Sequence, residues 1–339
     1  MKDENSGFTS NNKKTVSIVL PNYNGAHLLE KYLPFTLTAI QNTGVLFEVI
    51  IVDDASTDHS VNFIRANYPE LTLIANLQNK GFSHTCNTGI RAAKHELILL
   101  LNSDVKLTPN YFEHQWRYFE REDTFGVMGR IIDMKGNHIQ DAARKLTFNG
   151  FKIKTNRFFY SENLEDFVPT AYLSGANALI DAKKLKEIGG FNEIFSPFYG
   201  EDLEMGLRAW RIGWKCWYEH QSVCRHQMYA TTSNYKSPHW VKTIYYRNRF
   251  FVHAIHLQGL NLLGWYLQVL VVDLLLQIFT GKFWLIKSYM QLFQHQSVLK
   301  SSKKGLAVLM QKNHSKRSIK DIRNGLNTAM KGLKIHELK

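Results

Sequence analysis

Four short apolar runs punctuate the first hundred residues, and each is closed by polar, turn-forming residues. Residues 16–20, 47–52, 71–75 and 97–101 are too short for helices and rich in β-branched and aliphatic side chains, so they predict buried strands. Between them, apolar residues recur at helical spacing. Residues 26–40 predict a helix that Pro34 should end or kink. Ser56 or Thr57 is placed to cap a second helix running to Asn67. A third helix is expected over about 82–94. Alternating strands and helices predict a doubly covered parallel sheet with right-handed crossovers. In such sheets ligands bind beyond the carboxyl ends of the strands.

Those ends carry a concentration of amides and acids. Asn22, Tyr23 and Asn24 follow the first strand, and Asp53 and Asp54 the second. Asn79, Lys80 and Gly81 follow the third, and Asn102, Ser103 and Asp104 the fourth. Any one cluster could be ordinary turn chemistry. Four at the same end of successive strands point to a site. Neither standard phosphate-cradling glycine loop is present, since no GxGxxG follows the first strand and no GxxxxGK[ST] occurs. A diphosphate bound here would need another counter-charge, and an Asp-held divalent cation supplies one.

Charge changes the picture along the chain. The 339 residues suit about two domains. Residues up to Met205 carry 21 basic and 25 acidic side chains, whereas those beyond carry 21 and 4. The acidic part is where metal and catalytic carboxylates belong, and the basic part suits a polyanion, either nucleic acid or an anionic membrane surface. Three cysteines without a CxxC spacing support neither a disulfide scaffold nor a structural zinc site. Residues 1–14 are polar, lack the apolar core of a signal peptide and are expected to be disordered. A reduced, cytosol-facing protein follows as the expectation.

Residues 16–24 (VSIVLPNYN), 49–58 (VIIVDDASTD), 79–89 (NKGFSHTCNTG), 99–105 (LLLNSDV) and 200–213 (GEDLEMGLRAWRIG) resemble, in order and spacing, glycosyltransferase family 2. The resemblance covers about two thirds of the chain. It implies a GT-A fold, with a nucleotide-sugar-binding half over 15–131, an acceptor-binding half over 132–235 and a helical extension over 236–339. It also implies sugar transfer from a nucleotide diphosphate donor with inversion at the anomeric carbon. Pro21 and Tyr23 would then line the base pocket, and Asp53 or Asp54 would accept the imide N–H of uracil or thymine, selecting UDP or dTDP donors. Asn79, Gly81 and Asn87 would shape the ribose–diphosphate wall, with Asn102 and Ser103 beside them. Asp104 would hold Mg²⁺ or Mn²⁺. The family's Asp-x-Asp motif is half kept, because Asn102 replaces its first acid.

Glu201 and Asp202 open a predicted helix over 201–212. Carboxylates at a helix N-terminus can be simple caps. The resemblance makes Asp202 the general base, with Glu201 supporting it, and the helix end is expected to keep Asp202 ionised. Arg208 reads as structural. His226 is a candidate for completing the metal site, and a structural histidine is the alternative. The Gln-x-x-Arg-Trp of processive synthases is absent, the nearest text being residues 221–226 (QSVCRH). Addition of a single hexose per encounter is therefore expected.

Residues 245–251 (YYRNRFF) mix cations with aromatics, as a headgroup region or an RNA surface would. Residues 257–279 are largely apolar but interrupted by Asn261, Gln268, Asp273 and Gln277, with basic flanks on both sides. A true span, a buried helix and an in-plane or re-entrant helix all fit the length. The central Asp273 and the two basic flanks favour the in-plane form. Residues 300–339 add lysines suited to anionic lipid. The expected protein is a peripheral or monotopic transferase on the cytoplasmic face of the plasma membrane, acting on a lipid-linked or surface-polysaccharide acceptor. A polyprenyl-phosphate acceptor, a catalytically silent nucleotide-sugar-binding subunit and a basic nucleic-acid binder are the alternatives. Residues 133–170 match no motif and are expected to form acceptor-facing loops.

Overall fold

The computed structural model describes residues 13–227, 237–275, 281 and 284–338. Most of the N-terminal stretch expected to be disordered, residues 1–12, lies outside them. Four parallel strands build one side of the main sheet: β1 (Val16–Asn22), β2 (Phe47–Asp53), β3 (Thr72–Ala75) and β4 (Leu97–Leu101), in the spatial order β4-β1-β2-β3. Alternate side chains go to opposite faces. Val19, Ile50, Val52, Ile98 and Leu100 enter one core, and Ile18, Leu20, Ile51, Leu99 and Leu101 the other. Burial on both faces explains why these strands read as continuous apolar runs.

Helix α1 (Ala26–Gln41) and helix α2 (Ser60–Asn67) contribute to the second core, and helix α3 (Phe82–Ala92) to the first. Pro34 neither ends nor breaks α1. It lies on the exposed face with Glu30, so the carbonyl it leaves unpaired can face water. Helix α2 starts later than expected, because the Ser56 hydroxyl is committed to Asp53 rather than to a helix end.

The other side of the sheet is mixed. After β4 come β5 (Val105–Leu107), β6 (Thr124–Ile132), β7 (Ile139–Asp141), β8 (Ala143–Asn149), β9 (Lys152–Tyr160), β10 (Val168–Pro169), β11 (Asn177–Asp181), β12 (Lys215–His226) and β13 (His336–Leu338). Strand β11 runs antiparallel between β4 and β6, and β12 pairs parallel with β6 and antiparallel with β5. Strands β13, β9 and β8 form a separate antiparallel sheet. Residues 133–170 are therefore mostly strand, not loop.

Helix α4 (Ala182–Glu187) follows β11, and helix α5 (Glu201–Ile212) runs into the core and is buried almost throughout. Its Glu204 pairs with Arg208, whose guanidinium also donates to the carbonyls of Ile188 and Gly190. His256, at the end of helix α6 (Pro238–His256), faces the other Glu204 oxygen at 3.6 Å.

Helix α7 (Gly259–Gln268) continues into a π-helical segment, Val269–Leu275. Residues 276–279 of the apolar run lie outside the described residues. Among the described residues no helix is long and apolar enough to cross a membrane. Asp273, the acid interrupting the run, is ion-paired with Lys152 of β9. Three further helices follow, Trp284–Gln294, Gln296–Lys312 and Ile319–Ala329. The first packs against α6.

Arg208→Ala removes the cation from a buried pair and leaves Glu204 and two carbonyls without their donor. Chemical denaturation should show a loss of about 3–5 kcal/mol in stability.

Candidate active site

Where β1 and β2 end together, Asn22 donates from Nδ2 to Asp53 Oδ2 at 2.8 Å. The Ser56 amide and hydroxyl donate to the two Asp53 oxygens at 2.9 and 2.6 Å. Asp53 is thus consumed in holding its own loop. Asp54 turns the other way and accepts from Asn76 Nδ2 at 2.9 Å and from the Gly81 amide at 2.8 Å. The Lys80 amide approaches both of its oxygens at 3.1–3.2 Å. Gly81 has φ of +87°, and a Cβ there would sit 2.8 Å from the Pro197 Cα. Glycine is required on both counts. The next amide, Phe82 N–H, donates to the Pro197 carbonyl at 3.0 Å. A carboxylate on the nucleotide side therefore anchors a turn that touches the loop leading into α5.

Beyond β4, Asp104 lies beside the end of β12. The β5–β12 ladder sets His226 against Val105, and the Gln227 amide donates to the Asp104 carbonyl. His226 Nε2 comes within 3.3 Å of Asp104 Oδ1. Asp104 Oδ1 and the neighbouring Asn102 Oδ1 are buried oxygens with no hydrogen-bond donor among the described residues. Two orphaned oxygens and an imidazole suit a hard divalent cation that takes its remaining ligands from a bound diphosphate. Among the described residues no group of three His, Cys, Asp or Glu converges to hold a metal by itself.

The third component is the N-terminus of α5. Glu201 Oε2 and Asp202 Oδ1 are both buried and unpartnered. Burial pushes the Asp202 carboxyl well above the usual aspartate range; the Gly175 amide opposes this, Asp141 adds to it and Arg144 opposes it. Glu201 is raised for the same reason, with the Asp202 charge adding to it. Desolvation of two adjacent acids thus outweighs the helix dipole and raises the pH at which Asp202 ionises. Gly175 approaches so closely that a Cβ there would sit 2.7 Å from Asp202 Oδ1. The loop before these acids is tied down from α6. Asn248 Nδ2 donates to the carbonyls of Phe195, Phe198 and Tyr199 at 2.6–2.9 Å, and Arg247 donates to the Ser196 carbonyl.

These components share one cavity of about 380 Å³. Pro21, Tyr23, Asp54, Gly81, Asn102, Ser103, Asp104, His226, Glu201 and Asp202 all line it. Asp53, Asn79 and Asn87 do not. Asn79 is exposed, and Asn87 is buried behind the site, clamping the backbone of Phe191 through three bonds of 2.8–2.9 Å that include Glu193. A wall role for Asn79 and Asn87 is therefore not what their positions offer. The cavity also takes Phe82, Thr85, Ser174, Gly175, Pro197, Phe198 and Tyr199. All but Pro197 fall in stretches that resemble the family, residues 79–89, 174–180 and 198–202, but none of them had a role of its own legible in the sequence. A second cavity, of about 420 Å³, meets the first at Tyr199, Glu201 and Asp202.

A mostly parallel sheet with the antiparallel β11 inserted in it, and acids gathered beyond its strand ends, is the GT-A architecture. The profile of glycosyl transferase family 2 matches residues 17–189, and the chain belongs to that family. The chondroitin synthase of Escherichia coli is 26% identical over 227 residues, which is 58% of this chain and 32% of that protein. The fold is shared with GalNAc-T7, solved with UDP, GalNAc and Mn²⁺, at a TM-score of 0.52 and 16% identity over 73% of this chain and 48% of that one. It is shared with the mannosyltransferase PcManGT of Pyrobaculum calidifontis, solved with GDP-Man and Mn²⁺, at a TM-score of 0.51 and 15% identity over 95% and 82%.

A carboxyl whose folded pKa is raised costs stability once pH exceeds its unfolded value of about 4. The cost grows until pH passes the folded value. Asp202→Asn should therefore melt at a higher temperature than the parent at pH 8, and the gap should close near pH 4. Thermal denaturation at the two pH values checks both the sign and the window.

Proposed function

We propose that this chain is an inverting glycosyltransferase that moves one hexose from a UDP- or dTDP-sugar to a hydroxyl of a lipid-linked or surface-polysaccharide acceptor. The observation that carries the reading is the position of Asp202, half-buried with its Oδ1 inside, where two cavities meet. One cavity holds the strand-end residues suited to a nucleotide diphosphate, and the other is open to an acceptor. Inversion needs a base on the side of the sugar opposite the leaving group, and a carboxylate at such a junction meets that need. Asp202 Oδ1, free of hydrogen-bond donors, accepts the acceptor hydroxyl proton as the new C–O bond forms. Its raised pKa makes it a stronger base than an ordinary aspartate. Glu201, raised as well, keeps a proton beside it and limits repulsion between the two.

Asp54 is the better of the two candidate base-reading acids, since it lines the first cavity and Asp53 does not. Three donors occupy Asp54, which leaves about one of its roughly four lone-pair positions for an imide N–H. Pro21 and Tyr23 stand beside it as walls. Asp104, Asn102 and His226 are the residues that would hold Mg²⁺ or Mn²⁺. When bound, the cation would neutralise the diphosphate leaving group.

Membrane association is part of the proposal. Leu260, Leu263, Leu267 and Val271 are 83, 55, 55 and 52% exposed. Their helical spacing puts them on one stripe. Asp273 is turned inward to Lys152, and Met290 and Phe293 of the next helix are also exposed. An apolar stripe on a basic extension suits the interface of an anionic cytoplasmic leaflet.

Calorimetric titration of the chain with UDP, dTDP, GDP and CDP, with and without Mn²⁺, tests the donor site. UDP or dTDP should bind in a Mn²⁺-dependent manner, and failure of all four in folded protein would remove the reading in favour of a role without donor binding. Asp104→Ala should lower Mn²⁺-dependent affinity by at least about tenfold. Asp202→Asn should leave donor affinity little changed and reduce transfer by about 10²–10⁴-fold. Transfer by the parent should fall on the acid side through a pKa above the ~4 of an ordinary aspartate, read from a pH–rate profile. Leu263→Glu with Leu267→Glu should reduce co-sedimentation with anionic liposomes, and unchanged sedimentation would count against the interfacial stripe.

A further inference from the structure

The second cavity is lined by side chains of both charge signs. Glu201 and Asp202 supply the acids, and Lys154 of β9 and Arg249 of α6 the cations. Tyr172, Tyr199, Tyr245 and Tyr246 supply aromatic wall. Arg144 also reaches this cavity, but its charge is spent. Its guanidinium makes a two-point pair with Asp141 at 2.8 and 3.1 Å and lies over the Phe158 ring at 4.2 Å.

Lys154 and Arg249 are in a different condition. Among the described residues neither has an acidic partner, while the nearby Lys152 is the one that takes Asp273. The Lys154 ammonium has no hydrogen-bond acceptor among those residues either. Arg249 donates to the Ile153 carbonyl at 3.0 Å and reaches the Tyr245 hydroxyl at 3.4 Å. That commits two of its five N–H groups and leaves three. The two cations are fixed relative to each other through Ile153. Its carbonyl accepts from Arg249, and its amide donates to His253 Nε2 at 2.8 Å, one turn further along α6. Lys154 is the next residue of the strand. Burial and the charges of Arg249 and Lys152 disfavour charge on Lys154, and Asp273, already paired with Lys152, offsets them only in part, so two repelling cations share the cavity wall without an ion-pair partner of their own among the described residues. Such an arrangement is stabilised by an anion that both can reach.

We propose that this cavity is the acceptor site and that it selects an acceptor glycan bearing an anionic group, carboxylate or phosphate, seated between Lys154 and Arg249. The hydroxyl to be glycosylated lies against Asp202. This rests on the reading of Asp202 as the base and adds the substrate class. An anion placed beside Glu201 and Asp202 would be repelled, whereas one seated between Lys154 and Arg249 neutralises the cations. A neutral sugar would meet the tyrosine walls but leave both cations unpaired.

Binding of three probes to the full chain, with UDP and Mn²⁺ present, decides the matter. The probes are a hyaluronan tetrasaccharide for carboxylate, an oligomer of glycerol phosphate for phosphate, and chitotetraose as the neutral control. At least one anionic probe should bind about tenfold or more tighter than chitotetraose, as a charge-assisted contact requires, and the stronger of the two identifies the anion. Lys154→Gln should remove most of that preference, Lys154→Arg should restore it, and Lys154→Gln with Arg249→Gln should abolish it. UDP binding by each variant serves as the control for folding and for the donor site, and it should be unchanged. Equal binding of all three probes, no binding of either anionic probe, or a preference that survives in Lys154→Gln would overturn the proposal. Absence of UDP binding in the parent would instead strike at the donor reading, which is a separate result.

Discussion

Two adjacent carboxyls stand at the first turn of α5, Glu201 buried and Asp202 half-buried with its Oδ1 inside, with no cation bonded to either among the described residues, and the surrounding structure keeps them there. Left to itself this arrangement would swing outward to water. It is prevented from three directions. From below, Arg208 and Glu204 lock α5 to the chain around Gly190. From α6, the single amide of Asn248 gathers the three carbonyls of the preceding loop. From the nucleotide side, the Gly81 turn presses on Pro197, itself held by Asp54. The strain is electrostatic, stored as raised pKa values, and it is the property a proton acceptor uses.

That packing joins the two halves of the molecule. Asp54 follows β2 and Asp202 opens α5, and between them the Gly81 turn meets Pro197 while the Phe82 amide donates to the Pro197 carbonyl.

The strands were the most legible part of the chain. Residues 97–101 could be read to the residue because the run is apolar throughout and stops at Asn102. The helix at 201–212 was equally plain, bounded by Gly200 and Gly213 at positive φ. What failed was anything decided by a partner distant in sequence. Ser56 looked like a cap because its neighbours made it one, yet Asp53 captures it. Asn87 looked like a wall because residues 79–89 resemble the family's motif, yet its amide is held by the Phe191 backbone. Pro34 was expected to break its helix, and only its position on the wet face, set by tertiary packing, made it harmless. The role of Asn248 was hidden between two arginines that drew attention to charge instead of to the amide. Residues 133–170 offered no motif because short amphipathic strands of a small second sheet carry weak periodicity, and Lys154 lies among them.

The second cavity and the apolar stripe of α7 come from the same stretch of chain, and their connection is physical. Lys152 and Lys154 are neighbours on one face of β9. Lys152 turns to Asp273 in the π-helical continuation of α7, while Lys154 turns to the cavity. Phe151, just before them, donates its amide to Gln268 of α7 at 2.7 Å. The exposed stripe and Lys154 of the cavity are thus fastened to one short strand. If the stripe lies in a lipid interface, Lys154 is brought close to the headgroup layer, where phosphates are dense. An acceptor whose anion is borne by a lipid could enter without leaving the membrane surface, and one whose anion is a uronate could enter from the solvent side. The strand that fixes Lys154 then sets both the chemistry of the acceptor and the direction from which it arrives.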